Sequence, residues 1–101
     1  MAVVEFSVIP VGTGSPSVGD WVVKIQRMVR DSGIKHQLTP MSTILEGDLP
    51  EILGLIRKTH ESTLASGVPR VLTSVTIDDR TDKPLTMRGK VQRVERGLKG
   101  E

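Results

Sequence analysis

Two glutamates stand in stretches whose other residues are typical of β-strands. Glu5 lies between a valine and a phenylalanine, and Glu46 follows Ile44 and Leu45. Carboxylates are depleted in strands, and a half-buried carboxylate needs a hydrogen-bond partner. One interpretation is a basic side chain from a neighbouring strand or subunit. The other is a ligand such as an aminopyrimidine, whose amine and ring nitrogens present a donor and acceptors together.

The loop Gly12-Thr13-Gly14 lies between the first predicted strand and the first predicted helix. Backbone N–H groups at such a place can hold an anion. The loop is neither a phosphate-loop motif nor a dinucleotide fingerprint, because the Gly-Lys-Ser/Thr sequence and a third glycine are missing. We therefore expect a tight turn, with contact between Thr13 and a ligand as the alternative.

The sequence offers little else for catalysis or metal binding. His36 and His60 have no partner at metal-ligand spacing, and the chain has no cysteine. A structural zinc site needs four converging ligands and a catalytic one at least three. The run from Asp78 to Lys83 lacks the glycine and the final glutamate of a calcium-binding loop. We expect no catalytic residue, no metal and no required cofactor.

Length and composition fit one globular domain over residues 1–101, with 37% hydrophobic and 26% charged residues. No apolar run approaches the roughly 20 residues of a membrane span. No signal peptide is visible, so we expect a cytoplasmic protein without a membrane partner. Basic residues are frequent near the C-terminus, but only Phe6 and Trp21 are aromatic. This scarcity argues against nucleic-acid binding by base stacking.

Hydrophobic periodicity predicts an α+β fold. Ser15, Ser17 or Asp20 could cap the first helix, Gly33 should end it, and Asp48 should cap the second. The order suggests a ferredoxin-like β-α-β-β-α-β sandwich with an extra C-terminal helix. The predicted elements are a strand from residue 3 that a turn over 10–14 ends, a helix over 18–32, extended runs over 36–41 and 42–46, a helix over 48–66, a strand over 70–78 and a helix over 86–98.

Two helices can cover only one face of such a sheet. Val4, Phe6 and Val8 should lie under the helices. The other face then mixes apolar and polar groups, which is typical of an interface, and a homodimer through this face would explain both. The residues expected on the open face are Val3, Glu5, Ser7, Ile9, Leu72, Ser74, Thr76 and Asp78.

Three segments in this order, residues 6–14, 38–47 and 73–84, resemble the small thiamine-binding protein family, which is related to hydroxymethylpyrimidine/thiamine-binding proteins. The segments read FSVIPVGTG, LTPMSTILEG and TSVTIDDRTDKP. The chain departs from the family pattern at Ser42, where glycine is common, and at Ser74, where threonine is common. The resemblance covers nearly the whole chain.

The resemblance implies a ferredoxin-like domain without catalytic activity. It also implies face-to-face sheet dimers, often paired into tetramers, and a site for thiamine or its pyrimidine half. A pocket for this ligand needs acceptors for the amine, hydroxyls for the ring nitrogens and apolar walls. The residues expected at the site, from the family motifs and from this chemistry, are Glu5, Ser7, Ile9, Thr13, Thr39, Met41, Thr43 and Glu46.

The sequence thus predicts non-catalytic binding of thiamine, or of its hydroxymethylpyrimidine moiety, by a homodimer or homotetramer. The first alternative is a regulatory or assembly module whose open sheet face serves only oligomerisation. The second is an enzyme acting on a small heterocycle, in which Glu5 and Glu46 would be the only plausible acid–base pair.

Overall fold

The computed structural model describes residues 1–15 and 18–100. The strands and helices follow the predicted order β-α-β-β-α-β-α, which confirms the predicted fold class. They are β1 (Ala2–Val11), α1 (Gly19–Ser32), β2 (Lys35–Leu38), β3 (Thr43–Gly47), α2 (Leu49–Ala65), β4 (Arg70–Asp79) and α3 (Met87–Leu98).

The four strands form one antiparallel sheet in the order β2-β3-β1-β4. This is the strand order of the ferredoxin-like sandwich. Ser7 lies opposite Ser74, and Ile9 lies opposite Leu72. Because directly opposed residues share a face, the register confirms the predicted division of β1 and β4 into two faces. The register also places Glu46 opposite Val3, on the face away from α1 and α2.

The core lies between the sheet and the helices α1 and α2. Alternate residues of β1 point into it, as the period of two requires. Ile25 and Val29 of α1 and Ile52 and Ile56 of α2 pack against them. The buried sheet residues of this cluster are Ala2, Val4, Phe6, Val8 and Leu45.

The helix ends agree only partly with the predicted caps. Gly33 ends α1 with a φ of 75°, as expected for a left-handed C-cap. Val18, rather than Ser15 or Asp20, is the N-cap residue of α1, and its side chain makes no capping hydrogen bond. The third choice, Ser17, lies outside the described residues. Asp48 is the N-cap residue of α2, but its side chain makes no capping hydrogen bond.

The helix α3 returns over one end of the sheet face that the sequence left open. Its Lys90 forms an ion pair with Asp78, and Val3 is only 9% exposed although it lies on this face. The expectation of a wholly open face was therefore wrong at this end, because a third helix covers it. No residue of α3 is itself buried, and the molecule measures 50 × 27 × 20 Å.

The apolar stripe of α3 is mostly exposed. Val91, Val94 and Leu98 lie along it and are 57–83% exposed. Within residues 1–15 and 18–100, no helix combines the length and the apolar character that crossing a membrane requires.

Candidate functional site

A gap in the sheet lies beside the second half of β1. The strand β3 begins at Thr43, which lies opposite Phe6. From Ser7 to Val11, β1 is therefore paired with β4 alone. Alternate residues of a strand direct their N–H and C=O groups to opposite sides. The free side of this segment consequently presents backbone donors and acceptors without a neighbouring strand.

A concavity of about 220 Å³ lies at this gap, between β1, the start of α1 and the loop from β2 to β3. It brings together four of the predicted site residues: Ser7, Ile9, Met41 and Thr43. Met41 is 87% exposed and forms part of the rim. The apolar residues that line the remaining wall are Phe6, Val8, Val18, Val22, Ile25, Leu38 and Pro40.

Two hydroxyl-bearing residues of the predicted site, Ser7 and Thr43, line the concavity. The buried Thr43 hydroxyl accepts a hydrogen bond of 2.7 Å from the Gln26 side-chain amide. Sequence reasoning missed Gln26, although it falls three and four residues from Val29 and Val22. That spacing could have identified it as a polar residue on the inward side of α1.

Thr39 organises the loop that forms the rim. Its hydroxyl donates to the Ser42 carbonyl at 2.9 Å and accepts from the backbone N–H groups of Ser42 and Met41 at 3.0 and 3.3 Å. The Thr39 backbone N–H also donates to the Ser42 carbonyl at 2.8 Å. Thr39 therefore holds Met41 in place but does not itself line the concavity. Its contact with a ligand stays a prediction.

The glycine-flanked loop has the geometry of a turn. The Thr13 hydroxyl donates to the Ser15 carbonyl at 3.1 Å, and Gly12 and Gly14 have φ angles of 83° and 80°. Thr13 is not among the residues that line the concavity. The geometry agrees with the tight turn that the sequence predicted.

Glu5 lies on the open face and is connected to the concavity through Ser42. The Ser42 hydroxyl, which also lines the concavity, donates to a Glu5 carboxylate oxygen at 3.0 Å. Glu5 faces a second groove, of about 340 Å³, between the sheet and α3. Gln37, Ile44, Glu5 and Thr76 form one row across the floor of this groove. The Glu5 carboxylate is therefore exposed and has free acceptor capacity.

Glu46 is held inside the protein. Its side chain is 5% exposed. One carboxylate oxygen accepts from the Met87 backbone N–H at 2.7 Å, and the other lies 3.2 Å from the Lys35 ammonium. The first N–H groups of a helix lack partners within the helix. Glu46 therefore anchors the start of α3, while its role as a ligand residue stays a prediction.

The two histidines lie apart and make local contacts. Among the described residues, no three His, Asp or Glu side chains converge as metal ligands. His60 is half-buried, and its ring lies 2.6 Å from the Thr73 hydroxyl. His36 is exposed and lies 2.9 Å from the Ile34 carbonyl.

The fold and the gap beside β1 define a ferredoxin-like domain with a small, mostly apolar concavity. Residues 4–95 match the model of a family described as thiamine-binding protein, and the chain belongs to this family. It is 38% identical to YqgV of Bacillus subtilis over 102 residues, which cover 97% of this chain and 98% of that protein. The Staphylococcus xylosus protein encoded in the glkA 3′ region is 42% identical over 102 residues, covering 97% and 95% of the two chains.

Solved structures share the fold. A hypothetical protein of Methanocaldococcus jannaschii superimposes with a TM-score of 0.86 and 37% identity, covering 93% of this chain and 95% of that one. A candidate thiamine biosynthesis/salvage protein of Thermotoga maritima has a TM-score of 0.79 over 92% of this chain and 97% of that one. Its identity is 18%, so that likeness shows the fold alone.

Proposed function

We propose that this protein binds thiamine, or its hydroxymethylpyrimidine half, in the concavity beside β1, without converting it chemically. The observation that carries the proposal is the convergence of Ser7, Ile9, Met41 and Thr43 next to an unpaired strand segment. Membership of the thiamine-binding protein family supports the choice of ligand.

The size and lining of the concavity favour the pyrimidine half. Its 220 Å³ lies below the roughly 300–1,000 Å³ of sites for drug-sized ligands, so a compact ring fits better than the whole of thiamine. Apolar side chains would enclose the faces of the ring. The free N–H and C=O groups of β1 could pair with its ring nitrogens and amine, as a neighbouring strand would.

The exposed carboxylate of Glu5 provides the charge that thiamine requires. The thiazolium ring is a cation, and a pyrimidine amine is a hydrogen-bond donor. Ser42 lines the concavity and holds Glu5 at its border, at 3.0 Å. In this arrangement the pyrimidine lies in the concavity and the thiazolium lies outside, towards Glu5. Ser7, Thr43 and Gln26 would orient the pyrimidine.

A homodimer would complete this site. Ile9 lines the concavity and also lies on the open face, where it is 46% exposed beside Leu72 at 49%. A partner covering this face would therefore bury apolar area and also close one side of the concavity. The exposed stripe of α3 offers a second apolar surface, which suits a tetramer built from two dimers.

The same exposed residues favour one alternative, an assembly module whose open face serves only oligomerisation. Isothermal titration calorimetry with thiamine and with hydroxymethylpyrimidine separates the two functions. We expect saturable binding that Ser7→Ala and Thr43→Val weaken, because each removes a hydroxyl from the concavity. Thr81→Val, in the exposed loop before α3, is the matched control and should bind like the parent. An oligomer that binds neither compound would support the assembly function and overturn the proposal.

A further inference from the structure

A further concavity, of about 520 Å³ and distinct from the groove that Glu5 faces, lies between the end of β4, the following loop and α3. It shares no residue with the concavity beside β1. Its lining is strongly basic, with one carboxylate, that of Asp78. The cationic side chains that line it are Arg80, Lys83, Lys90, Arg93 and Arg96.

Two of these cations have carboxylate partners. The Arg80 guanidinium makes two hydrogen bonds to Asp82, at 2.6 and 2.5 Å, and Lys90 pairs with Asp78. The hydrogen bonds from Arg80 lower the pKa of the Asp82 carboxyl from 3.8 to about 2, so this pair stays ionised even in mildly acidic solution. These contacts restrain Arg80 and Lys90 at the wall of the concavity.

The other three cations are not held by an ion pair among the described residues. Within residues 1–15 and 18–100, Lys83, Arg93 and Arg96 make no ion pair with a carboxylate. Arg93 and Arg96 are three residues apart on α3, so they lie on one side of the helix. The two guanidinium groups line the concavity from α3, and the Lys83 ammonium lines it from the loop. A ligand in the concavity can therefore accept hydrogen bonds from both elements.

We infer that this concavity binds the phosphoryl groups of a small molecule, independently of the proposed thiamine site. Guanidinium groups donate two parallel hydrogen bonds to phosphate oxygens and remain charged at every physiological pH. A concave site of this volume suits a compact polyanion. A nucleic acid is disfavoured because the two aromatic residues, Phe6 and Trp21, do not line the concavity, and stacked bases need such a platform.

The test uses inorganic pyrophosphate and inorganic phosphate as probes, with the full chain in a buffer free of other polyanions. We expect pyrophosphate to bind more tightly than phosphate, because it can contact both guanidinium groups and Lys83. In a two-dimensional amide NMR titration, the signals of Gly89, Lys90 and Arg93 should shift. Arg93→Gln with Arg96→Gln should weaken pyrophosphate binding about tenfold or more.

A matched control is available on α1. Arg27→Gln with Arg30→Gln removes the same two charges at the same helical spacing, from residues that do not line this concavity. This variant should keep the pyrophosphate affinity of the parent. All four arginines are exposed, so thermal melts should confirm that both variants fold. Lys83→Gln, in the loop, provides a second test that leaves the helix unchanged.

Three results would overturn the inference. Equal loss of affinity in the two double variants would mean that pyrophosphate responds only to overall charge. If the amide shifts are spread over the surface and the α3 signals do not move, pyrophosphate does not bind in this concavity. A single-stranded oligonucleotide that binds these residues and is not displaced by pyrophosphate would assign the surface to nucleic acid instead.

Discussion

Replacing Glu46 by alanine should release the helix α3 without unfolding the domain. The Glu46 carboxylate supplies the partner for the first backbone N–H of α3, at 2.7 Å, and balances the charge of Lys35. No residue of α3 is buried, so little apolar packing can replace this contact. The helix should therefore detach more readily, while the core between the sheet and α2 stays intact.

The structure sets the size of the effect. A hydrogen bond to a charged group contributes about 1.5–3 kcal/mol. The helix dipole alone accounts for about 0.3–1 kcal/mol of such a contact, and up to about 2 kcal/mol where the carboxylate is partly buried. The ion pair adds less than about 1 kcal/mol, because Lys35 is largely exposed. A loss of about 1.5–3 kcal/mol makes opening of α3 about 10- to 150-fold more frequent.

Hydrogen exchange measured by NMR or mass spectrometry reports this opening directly. Amides of α3 in Glu46→Ala should exchange faster by that factor, whereas amides of β1 and α2 should change little. Glu61→Ala is the matched control, because its carboxylate pairs with the exposed Arg57 within one helix. Parent-like exchange of α3 in Glu46→Ala would refute the anchoring role.

The same position separates anchoring from ligand contact. Glu46→Gln keeps an oxygen that can accept from the Met87 N–H but removes the charge. Exchange of α3 should rise only moderately in this variant, because the hydrogen bond to Met87 can still form. If Glu46 contacts the ligand, the variant should also lose thiamine affinity. If Glu46 only anchors α3, its thiamine affinity should match that of the parent. Glu5→Gln should weaken thiamine binding in either case, if the proposed site is right.

Three further predictions concern assembly, a turn and an ion pair. Ile9→Lys should reduce the mass measured by light scattering, because it places a charge in the proposed interface. Gly12→Ala should lower the free energy of unfolding by about 1–3 kcal/mol in a denaturant titration. Gly12 has a φ of 83°, and an added Cβ would lie 2.8 Å from Pro69 Cγ. The Asp82 carboxyl should titrate by NMR at about 2, and Arg80→Gln should return its pKa towards 3.8.

Each of these predictions can fail clearly. An unchanged mass for a folded Ile9→Lys variant would exclude the open face as the interface. Leu53→Lys, on the exposed side of α2, is the matched control and should keep the mass of the parent. A parent-like unfolding curve for Gly12→Ala would mean that the added Cβ and the positive φ are accommodated without a loss in the free energy of unfolding. The Asp82 pKa is depressed, so the stabilisation by the pair is complete above the ordinary carboxyl pKa of 3.8 and is lost as pH falls through about 2. A titration midpoint near 3.8 for Asp82 in the parent would show that the hydrogen bonds from Arg80 do not lower its pKa.

The sequence by itself determined the order of the elements and the two faces of the long strands. These features are local: apolar side chains recur with a period of two in β1 and of about 3.6 in α1, and Gly33 ends α1 by its left-handed conformation. The same alternation places Ser7 and Ile9 on the opposite face of β1 from Phe6 and Val8.

Tertiary structure decided which of the predicted residues meet at the site, and which other residues join them. The concavity exists because β3 has five residues and its partner β1 has ten, so half of β1 has no neighbour on one side. Which residues meet there depends on strand register, which no single segment specifies. Likewise, Glu46 contacts Met87, 41 residues away, and its two possible faces could not be told apart from Ile44 and Leu45. The role of a strand carboxylate is set by the element that docks on it, and that docking is a long-range contact.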